Sequence, residues 1–375
     1  MTEYSPLQSE IKKLIKSSGP MPVWRYMELC LTHPKHGYYV SRDPLGREGD
    51  FTTAPEVSQM FGELLGLWVA SVWKAIGSPP MLRLVELGPG RGTMMADALR
   101  ALRVLPPLYQ VLNIHLVEIN PVLRDKQKSA LSGVRSVAWH DTIDEVPEGP
   151  AVIFANEYFD VLPIHQVVKR ETGWHERTVE IDGNGKLGFG AAPEPTPRFE
   201  VLLPPLVRAA PVGAIFEWRP DAEIMKIATR VRDQGGAALI IDYGHLRSDA
   251  GDTFQAIARH SFTDPLKSPG QADVTAHVDF EALVRAAEDL GARTHGPVTQ
   301  GEFLKRLGIE TRALTLMAKT THEVSEDIAG ALKRLIGGGR GGMGSMFKVL
   351  AISEPQLTAL AGFSDQEPAA RAATP

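Results

Sequence analysis

One carboxylate and three alternate glycines follow a short apolar run in LVELGPGRGTMM, residues 84–95. Glu86 lies at the mouth of the predicted turn, and Thr93 can cap the helix predicted to follow it. The three glycines are Gly88, Gly90 and Gly92. Because glycine has no Cβ, such a turn can be tight and a flat ligand can lie against its backbone. The pattern therefore predicts a ligand-binding loop with a carboxylate beside it.

The position of Glu86 restricts which classes of ligand the loop can bind. A carboxylate disfavours a pyrophosphate, and the spacing E-x-G-x-G-x-G differs from the dinucleotide fingerprint G-x-G-x-x-G. S-adenosyl-L-methionine fits, since it carries a sulfonium, an ammonium, a ribose and an adenine but no phosphate. We predict that the loop binds this cofactor; the alternative is a glycine-rich turn without a ligand.

Two further acids follow the next predicted strands. Glu118 comes after the second apolar run, near the spacing at which an acid meets the hydroxyls of a ribose. Asp141 follows a third predicted strand and is a candidate for contact with adenine, or else a solvated acid in a turn. We predict that both residues bind the cofactor.

A fourth predicted strand leads into ANEYFDVLPIHQ, where five consecutive residues offer an amide, two acids and two rings. They are Asn156, Glu157, Tyr158, Phe159 and Asp160. Ligands of doubly wound sheets lie beyond the carboxyl ends of the strands, so this loop is expected to face the reacting group. Two acids among apolar residues need partners, and a guanidinium pairs well with a carboxylate. Glu157 is the predicted catalytic acid; Asp160 is a second candidate, or a helix cap.

A histidine can accept the proton that leaves after methyl transfer. His277 in VTAHVDF is the candidate for this role. A histidine in such a loop is otherwise a hydrogen-bonded structural residue. Asn156 and Phe159 are also similar to the Asn-x-x-aromatic loop of amino methyltransferases, in which the Asn carbonyl holds a neutral amine.

The elements that must position these residues form an alternating pattern. Apolar runs at 82–88, 113–120, 149–157, 235–244 and 345–354 are separated mainly by helical stretches. Buried strands that alternate with helices predict an α/β fold with a doubly wound parallel sheet. An apolar helix is predicted over residues 57–76, and a hairpin with the turn DGNG over residues 167–189.

Composition excludes several classes of protein. The net charge of −5 argues against a protein held on nucleic acid by bulk charge. Cys30 is the only cysteine, so we expect neither a disulfide framework nor a cysteine-rich metal site. No apolar run reaches the ~20 residues of a membrane helix, and the first residues do not resemble a signal or transit peptide. We therefore predict a cytoplasmic protein that does not insert into membranes.

Eight segments together resemble the MidA-like methyltransferase family. They are HGYYV (36–40), GDFTTAPEVSQMFG (49–62), VELGPGRGTMMADALR (85–100), ANEYFDVLPIHQ (155–166), IIDYGH (240–245), PGQADVTAHVDF (269–280), TQGEFLKRLGI (299–309) and MGSMFKVLAI (343–352). The resemblance covers roughly residues 11–352. It implies a class I S-adenosyl-L-methionine methyltransferase fold and, for the mitochondrial member that assembles respiratory complex I, symmetric dimethylation of a protein arginine.

The resemblance also implies a substrate and its site. The substrate is expected to be a protein, with a subunit of the complex I peripheral arm as the candidate. Tyr38, Phe51 and Glu56 are implied substrate contacts, together with Tyr158. General arginine methyltransferases carry two glutamates on one loop, whereas here Glu157 has no second glutamate nearby. The second acid is Asp160 or an acid from elsewhere in the chain, such as Asp242. The open alternatives are N-methylation of an amide, base or small molecule, and an assembly factor that binds cofactor without turnover.

Domain organisation is predicted from the same pattern. Residues 1–80 form an N-terminal helical region, 81–160 the cofactor-binding half of the core, 161–220 an inserted segment, and 221–354 the rest of the core. Helical insertions lie at 245–276 and 300–344, and 355–375 form a disordered tail. The N-terminal region and the insertions are expected to form a second lobe.

Overall fold

The computed structural model describes residues 5–41, 53–196, 199–258, 261–339 and 341–363. The chain divides into two units, each discontinuous in sequence. Unit 1 comprises Met1–Phe51, Asp160–Pro220 and Arg247–Asp279; unit 2 comprises Thr52–Phe159, Asp221–Leu246 and Phe280–Pro375.

The strands and helices of the described residues are numbered in chain order. The strands are β1 (Met21–Pro22), β2 (Leu82–Leu87), β3 (Leu112–Val117), β4 (Val137–His140), β5 (Ala151–Asn156), β6 (His165–Arg170), β7 (Gly173–Ile181), β8 (Leu187–Ala191), β9 (Ile215–Trp218), β10 (Gly236–His245), β11 (Gln255–Ala258), β12 (Ser261–Thr263), β13 (Asp273–Thr275), β14 (Val278–Asp279), β15 (Arg293–Thr299) and β16 (Phe347–Ser353). The helices are α1 (Pro6–Ser18), α2 (Val23–Thr32), α3 (Tyr38–Ser41), α4 (Ala54–Val57), α5 (Gln59–Ala75), α6 (Thr93–Leu102), α7 (Pro106–Tyr109), α8 (Pro121–Ala130), α9 (Phe199–Leu202), α10 (Pro205–Arg208), α11 (Ala222–Gln234), α12 (Phe280–Asp289), α13 (Gln300–Arg306), α14 (Ile309–Met317) and α15 (His322–Ile336), with a 3-10 helix at Ile143–Glu145. Among the described residues, none of these helices combines the length and the apolar character needed to cross a bilayer.

Unit 2 contains the sheet that the apolar runs predict. Its strands lie in the order β15-β16-β10-β5-β2-β3-β4. The strands from β10 to β4 are parallel, whereas β16 is antiparallel to both β10 and β15. The strand order reverses beside β2, whose neighbours are β3 and β5. Open sheets of this kind bind ligands beyond the strand ends at such a reversal. The predicted α/β doubly wound fold is therefore confirmed, and it brings the ends of β2 and β5 together.

Helix α5 holds α6, and with it the loop after β2, against the sheet. A Cβ built on Gly66 of α5 would lie 2.7 Å from the carbonyl oxygen of Ala98 in α6, so the two helices cross in close contact. Phe61 and Trp68 of α5 are fully buried in the same core. Glycine at this crossing therefore fixes how near the start of α6 lies to the sheet.

The helix predicted over residues 57–76 corresponds to α5, and only its first residue, Val57, belongs to the separate short helix α4. Ser58 separates them with an extended backbone, φ −163° and ψ 139°, and its hydroxyl accepts a hydrogen bond from the Met60 backbone N–H. A serine that caps a helix cannot also lie inside one. The prediction missed this break because the apolar pattern continues across it.

Unit 1 is built from short strands and helices around its own cores. One sheet has the order β1-β7-β6-β9 with β8 beside β7, and another has the order β12-β11-β13. The antiparallel pair β7–β8 confirms the predicted hairpin. In its turn the Asp182 carboxylate accepts hydrogen bonds from the backbone N–H groups of Asn184 and Lys186, at 2.9 and 2.8 Å.

The two units divide the predicted second lobe differently. Unit 1 contains residues 1–51 and the inserted segment 161–220, together with most of 245–276, whereas residues 52–80 and 300–344 belong to unit 2. Their apolar helices α5 and α13 contribute to the core beside the large sheet. Leu357 and Leu360 are buried in that core too, so packed chain extends into the predicted disordered tail; residues 364–375 lie outside the described residues.

Candidate functional site

The loop after β2 holds its three glycines in the left-handed region of backbone space. The φ angles of Gly88, Gly90 and Gly92 are 60°, 53° and 82°, values that residues with a side chain rarely adopt. Gly92 occupies the cap position of α6. The prediction that Thr93 caps this helix is therefore wrong. Thr93 is the first residue of α6, and its hydroxyl donates a hydrogen bond to Glu56 Oε1 over 2.7 Å.

Glu86, next to the end of β2, is buried and incompletely satisfied. Its side chain is 3% exposed, and its Oε2 has no hydrogen-bond partner among the described residues. Burial raises the pKa of this carboxyl to about 8. A buried carboxylate without a partner is costly, so its presence beside the glycine loop indicates a ligand that supplies positive charge or donors. The ammonium and sulfonium of S-adenosyl-L-methionine fit this requirement, and a pyrophosphate does not.

Glu118, directly after β3, has one donor on each carboxylate oxygen. Asn120 donates its backbone N–H to Oε1 over 2.8 Å, and Gln127 donates from Nε2 to Oε2 over 3.3 Å. Burial raises the pKa of Glu118, and the hydrogen bond from Asn120 opposes this shift. Each oxygen keeps a lone pair with which it can accept from a hydroxyl. The arrangement suits a pair of ribose hydroxyls.

Asp141, after β4, lies in an exposed ion pair. Its carboxylate accepts a hydrogen bond from Arg124 over 2.5 Å, and its side chain is 66% exposed. Arg124 also donates to the backbone carbonyls of Glu118 and His140, at 2.6 and 3.0 Å. Arg124 thus ties the ends of β3 and β4 together. Adenine contact by Asp141 stays a prediction.

Glu157 follows β5 and has an unusual backbone. Its φ of 48° is in the left-handed region, and its N–H donates to the Ile241 carbonyl over 2.9 Å. Its Oε1 accepts hydrogen bonds from the Ala54 N–H and from Asn156 Nδ2, both at 3.3 Å. A non-glycine residue in this conformation costs about 1–3 kcal/mol and occurs mainly at functional sites. The fold therefore holds this carboxylate in place at an energetic cost.

The side-chain carbonyl oxygen of Asn156 is able to accept a further hydrogen bond. Because its Nδ2 faces the carboxylate of Glu157, the orientation of the amide is defined. Its Oδ1 is buried and has no hydrogen-bond partner among the described residues. This acceptor is the atom that would hold a neutral amine in the alternative chemistry.

Tyr158 and Asp242 stabilise the loops that follow β2 and β5. A Cβ on Gly88 would lie 3.0 Å from the Tyr158 ring, so the ring packs on the glycine loop. The Tyr158 hydroxyl donates to Glu223 Oε1 over 3.1 Å. Asp242, fully buried at the end of β10, accepts from the backbone N–H groups of Phe159 and Tyr243, at 3.0 and 2.9 Å. Asp242 thus holds the backbone just after Glu157.

Glu56 lies in unit 2, although the family resemblance suggested the second lobe. It belongs to α4, whose first residue, Ala54, donates to Glu157. The bond from Thr93 anchors the same short helix to α6. Helix α4 therefore contacts both the start of α6 and the carboxylate of Glu157.

The remaining predicted residues belong to unit 1, apart from one that is not described. Tyr38 and Asp160 are buried there, at 0% and 4% exposure. The Arg219 guanidinium donates to the backbone carbonyl of Asp160 at 3.1 Å and to that of His277 at 2.7 Å. Arg219 thus joins the two segments that carry these predicted residues. Phe51 lies outside the described residues.

Sequence reasoning missed Gln127 and Trp139. Gln127 on α8 is fully buried, and its Nε2 donates to the Gly90 carbonyl over 2.7 Å. Its Oε1 accepts from Trp139 Nε1 over 2.9 Å. The available signal was a glutamine four residues from Leu123 and four from Leu131, on the apolar stripe of a predicted helix, where a polar residue needs partners.

Comparisons with known proteins identify a matching family model and similar sequences. Residues 64–298 match the family of S-adenosyl-L-methionine-dependent methyltransferases. The chain is 37% identical over 362 residues to the mitochondrial protein arginine methyltransferase NDUFAF7 of Danio rerio, covering 90% of this chain and 84% of the relative. It is 38% identical to the protein of the same name from Mus musculus, covering 100% and 89%.

A solved structure supports both the fold and the cofactor. It is a COG1565 superfamily member from Burkholderia thailandensis bound to S-adenosyl-homocysteine. The TM-score is 0.79 at 32% identity, and the match covers 96% of this chain and 94% of that one. S-adenosyl-homocysteine is the product that the cofactor leaves after methyl transfer. The predicted fold and the predicted cofactor are therefore confirmed.

The predicted cytoplasmic location is contradicted by the same comparisons. The relatives from Danio rerio, Xenopus tropicalis and Homo sapiens are all named as mitochondrial proteins. The prediction rested on the composition of the first residues and on the lack of a long apolar run. Neither feature determines the compartment in which a protein resides.

Proposed function

Since this chain belongs to the S-adenosyl-L-methionine-dependent methyltransferase family, we propose that it methylates an arginine side chain of a protein. Relatives named protein arginine methyltransferases, whose length it nearly spans, support this acceptor. The finer proposal is symmetric dimethylation of a respiratory complex I subunit, as the family resemblance implies. The observation that carries the proposal is the carboxylate of Glu157, which follows β5 in a strained backbone and accepts a hydrogen bond from Ala54 of α4.

The residues around the glycine loop fit the cofactor. Glu86 would meet its cationic end, Gly88 and Gly90 would leave room along the backbone, and Glu118 would accept from the ribose. When bound, the cofactor supplies a methyl group on a positively charged sulfur, which is a good leaving group. The chain must then align the acceptor and exclude water.

Glu157 would act on the acceptor and not on the cofactor. An arginine nitrogen attacks only if it keeps lone-pair density, and a carboxylate that localises positive charge on the other nitrogens preserves it. Asp242 already accepts two backbone hydrogen bonds. Asp160 and Asp242 both stay candidates for the second acid in this proposal.

The decisive experiment separates chemistry from cofactor binding. Glu157→Gln keeps the size of the side chain and removes its charge. Turnover should fall by a factor of ~100 or more, with cofactor affinity within a few-fold. Labelled cofactor is incubated with a complex I subunit peptide or with a lysate of cells that lack the protein, and mass spectrometry identifies the methylated residue. Asp160→Asn should lose as much activity if Asp160 is the second acid, and much less otherwise.

The unpartnered Oδ1 of Asn156 favours a second candidate, N-methylation of an amide, a base or a small molecule. The methyl acceptor in that reaction is neutral. It is better held by the carbonyl oxygen of Asn156 than by the negative charge of a carboxylate. Full activity in Glu157→Gln with loss of activity in Asn156→Ala would make this candidate the better one. Cofactor binding without any labelled product would instead indicate an assembly factor without turnover.

A further inference from the structure

A buried glutamine connects the two parts of the cofactor site in unit 2. Gln127 on α8 contacts the glycine loop through the Gly90 carbonyl and the predicted ribose acid through Glu118 Oε2. We propose that Gln127 is a positioning residue that sets the distance between the glycine loop and Glu118 for cofactor binding. The inference rests on the cofactor shared by the family and is independent of the identity of the acceptor.

The hydrogen-bond partners of Gln127 allow only one orientation of its side-chain amide. Gln127 Nε2 has two protons; the Gly90 carbonyl takes one over 2.7 Å and Glu118 the other over 3.3 Å. Its Oε1 accepts from Trp139, whose indole can only donate. A flipped amide would place Oε1 against two acceptors and Nε2 against a donor. The rotamer is therefore fixed by three partners on three different segments.

Backbone packing reinforces this connection. A Cβ on Gly92 would lie 3.4 Å from both Cα and Cγ of Gln127, so α8 touches the glycine loop at a second point. Gln127 is completely buried, and water cannot replace a lost hydrogen bond there without opening the structure. A side chain without an amide would free the Gly90 carbonyl and one oxygen of Glu118 together.

The first test removes the amide and keeps the shape. Gln127→Met should raise the Kd of S-adenosylhomocysteine about tenfold by calorimetry, since a hydrogen bond to a charged group is lost. Asp125→Ala on the same helix is the control, because the Asp125 carboxylate lies in an exposed ion pair with Lys128. Its Kd should stay within about threefold of wild type. A folded Gln127→Met protein with unchanged affinity overturns the proposal.

The second test distinguishes positioning from a general packing defect. In the variant Gln127→Glu, two carboxylates face each other at neutral pH, and one of their pKa values must rise strongly. As the pH falls, the pair takes up a proton and recovers a donor of nearly the same shape as the glutamine. The ratio of variant to wild-type Kd should therefore fall from pH 8.5 to pH 6. A constant ratio contradicts the proposed positioning role of Gln127. The pH dependence of this ratio also tests the proposal if the Gln127→Met protein does not fold.

Other charged groups near Gln127 and Glu118 do not produce the same pH dependence of the Kd ratio. Arg124 and Tyr158 interact electrostatically with Glu118, and Lys128 lies over the Trp139 ring. All three are present in wild type and variant, so they contribute to both terms of the ratio. A double-mutant cycle with Glu118→Gln completes the test. The loss from Gln127→Met should be less than half as large in that background, and a fully additive loss would show that Gln127 does not act through Glu118.

Discussion

At the scale of single residues, Glu86 links cofactor binding to a proton. Because burial raises its pKa to about 8, it is mostly protonated in the free protein at neutral pH. A cationic ligand favours the ionised form and lowers that pKa. We expect binding of S-adenosyl-L-methionine at pH 7 to release up to about one proton. Calorimetry in buffers of different ionisation enthalpy measures this number.

The matched variant for this prediction is Glu86→Gln. It keeps the shape of the side chain and cannot release a proton, so binding should become independent of the buffer and weaker. S-adenosylhomocysteine lacks the sulfonium charge and should release fewer protons from the wild-type protein. Equal release by the wild type and Glu86→Gln would show that another group titrates.

Glu118 gives a second test at this scale. Glu118→Ala removes a charged acceptor from two hydroxyls, which is worth about 1.5–3 kcal/mol, so cofactor affinity should fall ~10- to 100-fold. Asp125→Ala on the same stretch of chain is the control, because the Asp125 carboxylate lies in an exposed ion pair with Lys128. A change under twofold in Glu118→Ala would mean that Glu118 does not hold the ribose.

At the scale of elements, the sequence correctly predicts the large sheet of unit 2 and the glycine loop after β2. Strand β2, the glycines after it and Glu118 after β3 are encoded by local apolar runs and by their spacing, which sequence periodicity detects. The α/β fold followed from the repetition of this pattern. The predicted cofactor followed from Glu86, whose type and position need no knowledge of distant contacts.

Contacts between distant segments could not be predicted in the same way. The partner of Thr93 is Glu56, 37 positions away, and the partner of Glu157 is Ala54, 103 positions away. Periodicity reports which side of an element is buried, but not which residue of another element lies opposite it. This is why the role of Gln127 was missed and why Thr93 was taken for a helix cap.

Helix α4 is the element whose function is most open to test. Thr93→Val removes the hydroxyl that anchors Glu56 and preserves the side-chain shape. The Ala54 N–H on the same helix should then orient Glu157 less well, and turnover should fall about tenfold with cofactor affinity nearly unchanged. Thr315→Val is the control, since that hydroxyl donates only to the Thr311 carbonyl on an exposed part of α14. Equal loss of affinity and turnover would place the defect in the glycine loop instead.

At the scale of the whole molecule, several buried histidines make stability depend on pH on the acid side. Burial lowers the pKa values of His115 and His295 from 6.5 to about 4, and those of His140 and His165 in the same direction. At these four histidines the unfolded chain therefore binds more protons than the folded protein near and below pH 6.5. Stability from these groups is lost as the pH falls through 6.5, and their pH dependence fades within about one pH unit above that value.

Between pH 6.5 and about 8, Glu86 contributes with the opposite sign. Its pKa is raised from 4.5 to about 8 by burial, so the folded protein holds a proton that the unfolded chain has lost. Its contribution to stability is complete below pH 4.5 and declines as the pH rises to about 8. The melting temperature of the cofactor-free wild type should thus fall relative to that of Glu86→Gln as the pH rises from 6.5 to 8.5. Parallel melting curves for the two proteins across this range would show that Glu86 is ionised in the free protein, and would remove the basis for the expected proton release.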